Sequence, residues 1–261
     1  MIIHGIGVEA KTYVENYEKI VRKSFAKIGQ TDIEVIPVYY DDILKSNQHE
    51  FEKCINNSNL CFKGVRNLTM QNFGAATVFE EDFEAEGSPY QMVMERVYEA
   101  LQEMEKRMNK EEYKLFVFAH SLGAHIISNY IYDAQKKREE LGIAKFWENR
   151  KSNGCEKFEK LTAFLTFGCG IPIFVSGLYT ILPFKKPNSE FKWFNYYDKK
   201  DILAYPLKNF TRYGDKVYDK IVAKDIAVHS SFFPGKVHFA YWNRESITQK
   251  SVKIEISGYF K

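Results

Sequence analysis

A serine with small neighbours directly follows a short apolar run near the middle of the chain. The run Leu115-Phe116-Val117-Phe118 continues into the hexapeptide Ala119-His120-Ser121-Leu122-Gly123-Ala124. This pattern is typical of a nucleophile elbow, in which a tight turn between a strand and a helix projects the serine hydroxyl and tolerates only small neighbours. It therefore predicts that Ser121 is a nucleophile. Because a serine hydroxyl is a weak nucleophile, a base and an orienting acid must accompany it.

The candidates for the acid, Asp198 and Asp201, come just after the strand predicted over 192–197. In sheets of parallel strands the ligand site lies at the carboxyl ends of the strands, so residues that follow strands are the ones to consider. We favour Asp201, because Ile202, Leu203 and a nearby proline would partly bury its carboxylate. Asp198 is the alternative, although its position at the strand end also suits a turn aspartate that accepts hydrogen bonds from backbone amides.

The first choice for the base is His238, and the alternative is His229. The turn signal Pro234-Gly235 precedes His238 and places it at the junction of a loop and a helix. His229 precedes two serines and is expected to be a surface or capping residue. The order Ser121, Asp201, His238 along the chain is one of the known orders of a Ser-His-Asp triad, which favours His238 further.

Backbone amides are expected to form the oxyanion hole of this site. The amide of Leu122 begins the helix after the elbow, where the helix dipole favours negative charge. The second donor is expected in the turn after the first strand, where Gly5 and Gly7 allow a close approach. We choose the amide of Ile6 as this donor, and we expect His4 to brace the turn.

Apolar strands that alternate with amphipathic helices predict an α/β fold with a mostly parallel sheet and helices on both faces, in one domain over residues 1–261. Strands are expected over residues 2–4, 33–40, 115–118, 161–167, 192–197, 217–226 and 251–256. Pro37 indicates an edge position for the second of these strands. Helices are expected between the first two strands, ending near Gly29, after the N-cap Ser88, and after the elbow.

Three segments do not fit the regular pattern. Residues 45–88 are polar and predicted to form an irregular excursion above the sheet, and residues 133–160 are strongly charged and predict a surface helix or a lid. Either segment could cap the site. Residues 161–184 contain no charged residue and are long enough to suggest a membrane helix, but glycines and prolines divide them. We therefore expect a buried strand and then an apolar loop over 171–184, which could line an acyl pocket or contact a lipid surface.

Composition limits the classes of partner and cofactor. The net charge of +3, with mixed signs throughout, gives no support to nucleic acid binding. The four cysteines lack the spacing of a metal site, and no glycine-rich phosphate motif is present, so neither a metal nor a nucleotide cofactor is expected. The opening residues look like a first strand, so we expect no secretory signal there, and we predict free thiols and a cytoplasmic location.

Taken together, the motifs resemble the α/β-hydrolase superfamily, in particular its lipases and esterases. The resemblance rests on an HG turn at residues 4–7, the AHSLG elbow, which has Ala119 in place of the usual first glycine, the YDxxDILAYPL segment at 197–207, and HxxYW at 238–242. It implies the triad Ser121, His238 and Asp201, and a sheet that lacks the first two strands usual in that fold.

The function that this resemblance implies is the hydrolysis of carboxylic esters in lipid-like or other acyl substrates, through an acyl-enzyme intermediate. A fold does not fix a substrate, however. The alternatives are a non-catalytic lipid-binding or protein-binding module of the same fold, and an amidase or thioesterase that uses the same triad.

Overall fold

A sheet of six parallel strands lies at the centre of the computed structural model, which describes residues 1–6, 10–78, 87–109, 112–136, 155–231 and 236–260. Its strands are β1 (Ile2–Ile3), β2 (Pro37–Val38), β3 (Leu115–His120), β4 (Leu161–Phe167), β5 (Lys192–Asp198) and β8 (Val222–Val228). Their spatial order is β2-β1-β3-β4-β5-β8. The hairpin strands β6 (Thr211–Arg212) and β7 (Asp215–Lys216) pair separately.

Helices cover both faces of this sheet, as the sequence predicts. They are α1 (Ala10–Ala26), α2 (Asp41–Asn57), α3 (Lys63–Val78), α4 (Pro89–Met108), α5 (Leu122–Lys136), α6 (Ile171–Val175), α7 (Ala240–Asn243) and α8 (Glu245–Ser251). A π-helical turn over Val252–Ile256 continues α8, and short 3-10 turns span Cys155–Lys157 and Ser257–Phe260. The predicted α/β architecture is confirmed.

Alternation along β3 explains how one strand contributes to two cores. Leu115 and Val117 belong to the core under α4 and α5, whereas Phe116 and Phe118 belong to the core under α1 and the C-terminal helices. Successive side chains of a strand point to opposite faces, so a strand that is buried on both sides must be apolar at every position. This requirement accounts for the apolar run before the elbow.

Local end signals fix two helices where the sequence predicts them. The Ser88 hydroxyl accepts a hydrogen bond from the amide of Gln91 (3.2 Å), which satisfies one of the free amides at the start of α4. Pro89 occupies the first turn, where the missing N–H costs nothing. Gly29, with φ of +79°, lies just beyond α1 and adopts the left-handed conformation that ends many helices.

Two predicted strands have other bounds in the structure. The strand expected over 33–40 pairs only at Pro37–Val38, because its partner β1 is itself two residues long. β2 lies at the edge of the sheet, as Pro37 indicates. The strand expected over 217–226 begins at Val222 instead, because residues 211–216 turn back as the hairpin β6–β7.

The prediction of an irregular excursion over 45–88 is wrong for most of that segment, which forms α2 and α3. Asp41 and Asp42 occupy the first turn of α2, where their charges suit the helix dipole. Ile43 and Leu44 anchor that end in the core, and the rest of α2 packs on α3. The polar composition thus reflects largely solvated helices, and a weakly amphipathic helix is easily mistaken for a loop.

The prediction of a last strand over 251–256 is also wrong, since this segment is helical. The alternation of apolar and charged residues would place Val252, Ile254 and Ile256 on one face of a strand. In the structure Val252 and Ile256 are fully buried, whereas Ile254 is 65% exposed. A spacing of four residues, typical of a helix, therefore decides which apolar side chains are buried.

The remaining predictions concern the charged and apolar segments. Most of the predicted surface helix or lid over 133–160 lies outside the described residues, at 137–154. The segment 161–184 begins with the expected buried strand, β4. The loop expected over 171–184 begins instead with the short helix α6, and irregular backbone follows it. None of the described helices has both the length and the apolarity that a membrane span needs. All four cysteines are free thiols, as predicted.

Candidate active site

Ser121 occupies the turn between β3 and α5 and has a backbone φ of +51°. A non-glycine residue in this left-handed region is strained and tends to occur at functional sites. The amide of Ser121 donates to the carbonyl of Phe167 (2.9 Å), which ties the turn to β4. The predicted turn from strand to helix is therefore present, and it holds the serine in a constrained conformation.

Two glycines beside Ser121 are required by close packing. A Cβ atom on Gly123 would lie 2.5 Å from the carbonyl oxygen of His4, and one on Gly5 would lie 2.7 Å from the Cβ atom of Ser121. Contacts this short are not tolerated in real packing. The structural reason for the small-residue pattern is therefore the close approach of the turn after β1 to the elbow.

Ser121, His238 and Asp201 form a continuous hydrogen-bonded chain. The Nε2 atom of His238 lies 2.8 Å from the Ser121 Oγ atom, and its Nδ1 atom lies 2.9 Å and 3.1 Å from the two carboxylate oxygens of Asp201. A carboxylate only accepts hydrogen bonds, so Nδ1 carries the proton and Nε2 is free to accept the serine proton. All three side chains are buried. The geometry is that of a nucleophile, a base and an orienting acid.

The carboxylate of Asp201 is held in its ionised form. Burial by itself raises the pKa of a carboxyl group, but hydrogen bonds from His238, from the amide of Leu203 (3.0 Å) and from the hydroxyl of Tyr241 (2.9 Å) outweigh burial and hold the pKa of Asp201 below its ordinary value. A negative charge at this position stabilises an imidazolium on His238.

Asp198, the alternative acid, serves the turn instead. One carboxylate oxygen accepts from the amide of Lys200 (3.0 Å), and the other accepts from the amide (2.6 Å) and the hydroxyl (3.1 Å) of Ser230. Burial opposes ionisation, but these donors and the nearby His229 hold the pKa of Asp198 below its ordinary value. His229, the alternative base, lies 3.7 Å from Asp198. The imidazole that lies within hydrogen-bond distance of the Ser121 hydroxyl is that of His238.

Sequence reasoning missed the part that Tyr241 plays in this arrangement. Its hydroxyl accepts from the amide of Asp198 (2.7 Å) and donates to Asp201 (2.9 Å), so it joins the turn after β5 to the acid. Burial raises the pKa of Tyr241, so the hydroxyl keeps the proton that it donates. The sequence contained one signal for this role, since Tyr241 follows His238 by three residues, a spacing of about one helical turn.

We expect Tyr241→Phe to lower kcat/KM for an ester substrate about tenfold, since a hydrogen bond to a charged group contributes roughly 1.5–3 kcal/mol. The change removes one donor from Asp201 and frees its carboxylate to rotate. Steady-state kinetics of the variant would measure the effect. Tyr205→Phe, in the same loop region but without a contact to the triad, is the control and is expected to keep full activity. Equal losses in both variants would contradict a specific role of Tyr241.

His120 also supports the base. Its Nε2 atom donates to the backbone carbonyl of His238 (2.8 Å), and its ring centre lies 5.0 Å from the ring of His238. Its Nδ1 atom has no hydrogen-bond partner among the described residues and lies against Gly5, where an added Cβ atom would be 2.9 Å away. His120, which precedes Ser121, thus positions the loop that carries His238.

The other two histidines near the elbow, His125 and His4, pack on aromatic rings. The ring of His125 stacks on Phe174 at 4.7 Å, and the ring of His4 stacks on Tyr40 at 4.4 Å. The Tyr40 hydroxyl donates to the carbonyl of His4 (2.8 Å), and an Nδ1 atom of His4 lies 2.6 Å from the carbonyl of Gly5. His4 therefore braces the turn after β1, as expected.

Burial lowers the pKa of His120 to about 3 and that of His125 to about 4, so both stay neutral in the folded protein at mildly acidic pH. In the unfolded chain they bind protons below their ordinary pKa of about 6.5. Stability is therefore lost as pH falls through this window. We expect each histidine to reduce the free energy of unfolding by about 2–3 kcal/mol between about pH 7 and pH 4.5.

Urea unfolding at a series of pH values would measure this dependence. His125→Gln is expected to reduce its slope, whereas His49→Gln, at an exposed position, should leave the slope unchanged. An undiminished slope in His125→Gln would show that carboxylates alone cause the acid sensitivity.

The two predicted oxyanion donors lie next to the elbow. Leu122 is the first residue of α5, so its amide has no acceptor within the helix. Ile6 is buried in the turn after β1, and the pairing of β1 with β3 brings this turn alongside Ser121. Gly7, the third residue of the predicted turn, lies outside the described residues, as does the Pro234-Gly235 turn before His238. Donation from both amides to an oxyanion stays a prediction.

A separate cavity of about 300 Å³ lies at the amino ends of β1 and β3, where Met1 and Leu115 line it. Ser121 follows the carboxyl end of β3, at the opposite end of the strands. This cavity is therefore not a candidate for the substrate site.

Comparison with known proteins adds no assignment to this geometry. No family model matches the chain, and no curated protein and no solved structure matches it. The chemistry of the site must therefore be argued from its own residues.

Proposed function

We propose that this chain is a serine hydrolase of the α/β-hydrolase type that cleaves carboxylic esters. The observation that supports this proposal most strongly is the buried chain of hydrogen bonds from Asp201 through His238 to Ser121. Its members come from three distant parts of the sequence and meet at the carboxyl edge of a parallel sheet, where α/β proteins bind their ligands. A strained serine beside a base oriented by an acid has a direct use in acyl transfer.

The reaction follows from these positions. The Ser121 Oγ atom attacks the ester carbonyl carbon and forms a C–O bond while its proton passes to His238 Nε2. The amides of Leu122 and Ile6 would stabilise the negative oxygen of the tetrahedral intermediate. The intermediate expels the alkoxide, which takes the proton from His238 and leaves as the alcohol. Water then attacks the acyl-enzyme by the same steps, and the acid product and the free serine are regenerated.

The architecture supports the α/β-hydrolase type as well. β1, the strand that carries the HG turn, lies within the sheet beside the strand of the elbow, and the sheet has six strands. This agrees with the sequence-based expectation of a sheet without the first two strands usual in that fold. The acid and the base follow β5 and β8 respectively, so each member of the triad comes after a strand.

A fluorophosphonate probe tests the nucleophile directly, because it reacts covalently with activated serines. The wild-type chain is expected to be labelled at Ser121, and the Ser121→Ala variant is expected to remain unlabelled. Equal labelling of both proteins would refute the assignment. A panel of p-nitrophenyl esters of increasing acyl length, with amide and thioester counterparts, would then distinguish an esterase from an amidase or thioesterase. Acyl binding without turnover of any of them would favour a non-catalytic binding module.

We also propose that the protein contacts a lipid surface through residues 171–184, which would suit a lipid-like substrate. Tyr179 is 84% exposed and Leu182 is 55% exposed, next to the exposed Lys185 and Lys186. Exposed aromatic and aliphatic side chains beside lysines suit the interface of an anionic membrane. The guanidinium of Arg212 donates to the carbonyl of Leu178 (2.7 Å) and thus holds the segment in place.

We expect the protein to co-sediment with phosphatidylglycerol vesicles. The double change Tyr179→Ser with Leu182→Ser is expected to weaken this binding at least about tenfold, because burying a large apolar side chain contributes roughly 1.5–3 kcal/mol. Phe62→Ser, at an exposed position far along the chain, is the control and should bind as the wild type does. Undiminished binding of the double variant would exclude this segment as the contact.

A further inference from the structure

A groove of about 640 Å³ lies between the edge strand β8 and the C-terminal helical segment. Its walls come from β8, from the loop after β5, and from residues of α8 and the following π-helical turn. None of Ser121, Asp201 and His238 lines it, so it is distinct from the candidate active site. Its volume falls within the roughly 300–1,000 Å³ that is usual for small-molecule sites.

The floor of this groove is aliphatic. Ile226 and Val228 contribute from β8, and Ile247 and Ile254 contribute from the helical side. Ile254 is 65% exposed although the neighbouring apolar residues of its turn are fully buried. β8 is the last strand of the sheet, so within the described part of the chain no further strand covers this side. An apolar ligand chain in the groove would remove this surface from water, which is favourable.

The rim of the groove is cationic. Five basic side chains line it, and they are Lys199, Lys200, Lys224, Arg244 and Lys250. The two carboxylates in the lining are already engaged, since Asp198 accepts three hydrogen bonds from Lys200 and Ser230, and Glu255 lies 3.4 Å from Lys224. Among the described residues, no carboxylate forms an ion pair with Lys199, Lys200 or Lys250.

We propose that this groove binds an amphiphilic carboxylate of the fatty-acid class, with its chain on the aliphatic floor and its carboxylate among the rim lysines. Lysine ammonium groups on flexible stems suit a small anionic head at the water boundary, because the stems lie along apolar surface while the charge stays solvated. Most of the rim charge comes from lysines, and the forked, bidentate recognition of phosphate that clustered arginines provide is not available here.

This site does not depend on the proposed function. A carboxylate with an apolar chain is also the acid that ester hydrolysis would release, and that link alone rests on the proposed function. The two can therefore be tested separately, because ligand binding in the groove requires no reactive serine.

Isothermal titration of the full chain with decanoate, below its micelle concentration, tests the proposal. The Ser121→Ala protein is used so that no substrate chemistry intervenes. We expect decanoate to bind, and acetate and decan-1-ol to bind at least about tenfold more weakly. Lys250→Glu is expected to weaken decanoate binding about tenfold, since reversal of a rim charge replaces an attraction by a repulsion. Ile254→Ser is expected to weaken decanoate binding several-fold.

The matched control is Lys253→Glu, an exposed lysine of the same helical segment that does not line the groove. It should bind decanoate as the parent protein does. Equal affinities of Lys250→Glu and Lys253→Glu for decanoate would overturn the proposal. It would also be overturned if decan-1-ol or acetate bound to the parent protein as tightly as decanoate does. Failure of the fluorophosphonate to label Ser121 would overturn the hydrolase and leave this result unaffected.

Discussion

Ser121→Ala is expected to lower kcat for ester hydrolysis by about 10⁵- to 10⁶-fold, which is the size of loss found when the nucleophile of a Ser-His-Asp triad is removed. The variant keeps His238 and Asp201 but has no oxygen that can form the acyl-enzyme. The residual rate should still exceed that of the uncatalysed reaction, because the amides of Leu122 and Ile6, the predicted oxyanion donors, would still be in place. Initial rates with a p-nitrophenyl ester would measure the loss.

Ser128→Ala is the matched control for this experiment. Ser128 is also a buried serine of α5, and it is not part of the hydrogen-bonded chain of the site. Its replacement should leave kcat within a few-fold of the wild-type value. If Ser121→Ala kept more than a tenth of the wild-type rate, the nucleophile would have to be sought elsewhere.

The central strands and the elbow could be predicted because their signals are local. β3 and β4 are buried at every position, so both are rich in apolar residues along their whole length. β5 is buried over most of its length and is rich in aromatic residues. The turn at Ser121 leaves no room for a side chain at position 123, because the carbonyl of His4 lies so close. Requirements of this kind restrict the residue types at neighbouring positions, so they can be recognised in the sequence.

The helical character of two segments could not be predicted from periodicity alone. α2 buries its first turn, whereas most of its remaining length faces solvent, so its sequence carries little apolar pattern. The segment 251–256 has a pattern that fits a strand of period two, and the exposed Ile254 is what creates it. Short apolar runs are compatible with both structures, and packing against the rest of the fold decides between them.

The supporting residues of the site were hidden for a different reason. Tyr241 contacts Asp201 across 40 positions of sequence, and His120 contacts the carbonyl of His238 across 118. Neither residue type is diagnostic by itself, since buried tyrosines and histidines are usually structural. The triad residues could be proposed because their chemistry and order constrain the choice, but their supporting contacts depend on the three-dimensional pairing of distant loops.

Asp201→Asn is expected to lower kcat/KM for an ester about 10⁴-fold, the size of loss typical of this change in a Ser-His-Asp triad. The asparagine can turn its amide nitrogen toward His238, and Nδ1 would then have to accept the hydrogen bond. The proton would move to Nε2, which could no longer take the proton of Ser121. The variant should remain folded, because the amide of Leu203 and the hydroxyl of Tyr241 donate to different oxygens of Asp201, and the oxygen that remains keeps one of these two bonds.

Asp198→Asn provides the comparison that separates the two aspartates. The amides of Lys200 and Ser230 donate to different oxygens of Asp198, so the asparagine keeps an acceptor for only one of them. We therefore expect a cost in stability of about 1–2 kcal/mol and a loss of less than about tenfold in kcat/KM. Circular dichroism melting of both variants would separate unfolding from loss of chemistry. If Asp198→Asn lost more kcat/KM than Asp201→Asn, the assignment of the acid would pass from Asp201 to Asp198. Asp198 would then act on the imidazole of His238 through the turn after β5. The smaller loss follows from the geometry, because Asp198 is linked to the triad through its backbone. Its carbonyl accepts from the amide of Asp201 (2.9 Å), and its amide donates to the Tyr241 hydroxyl.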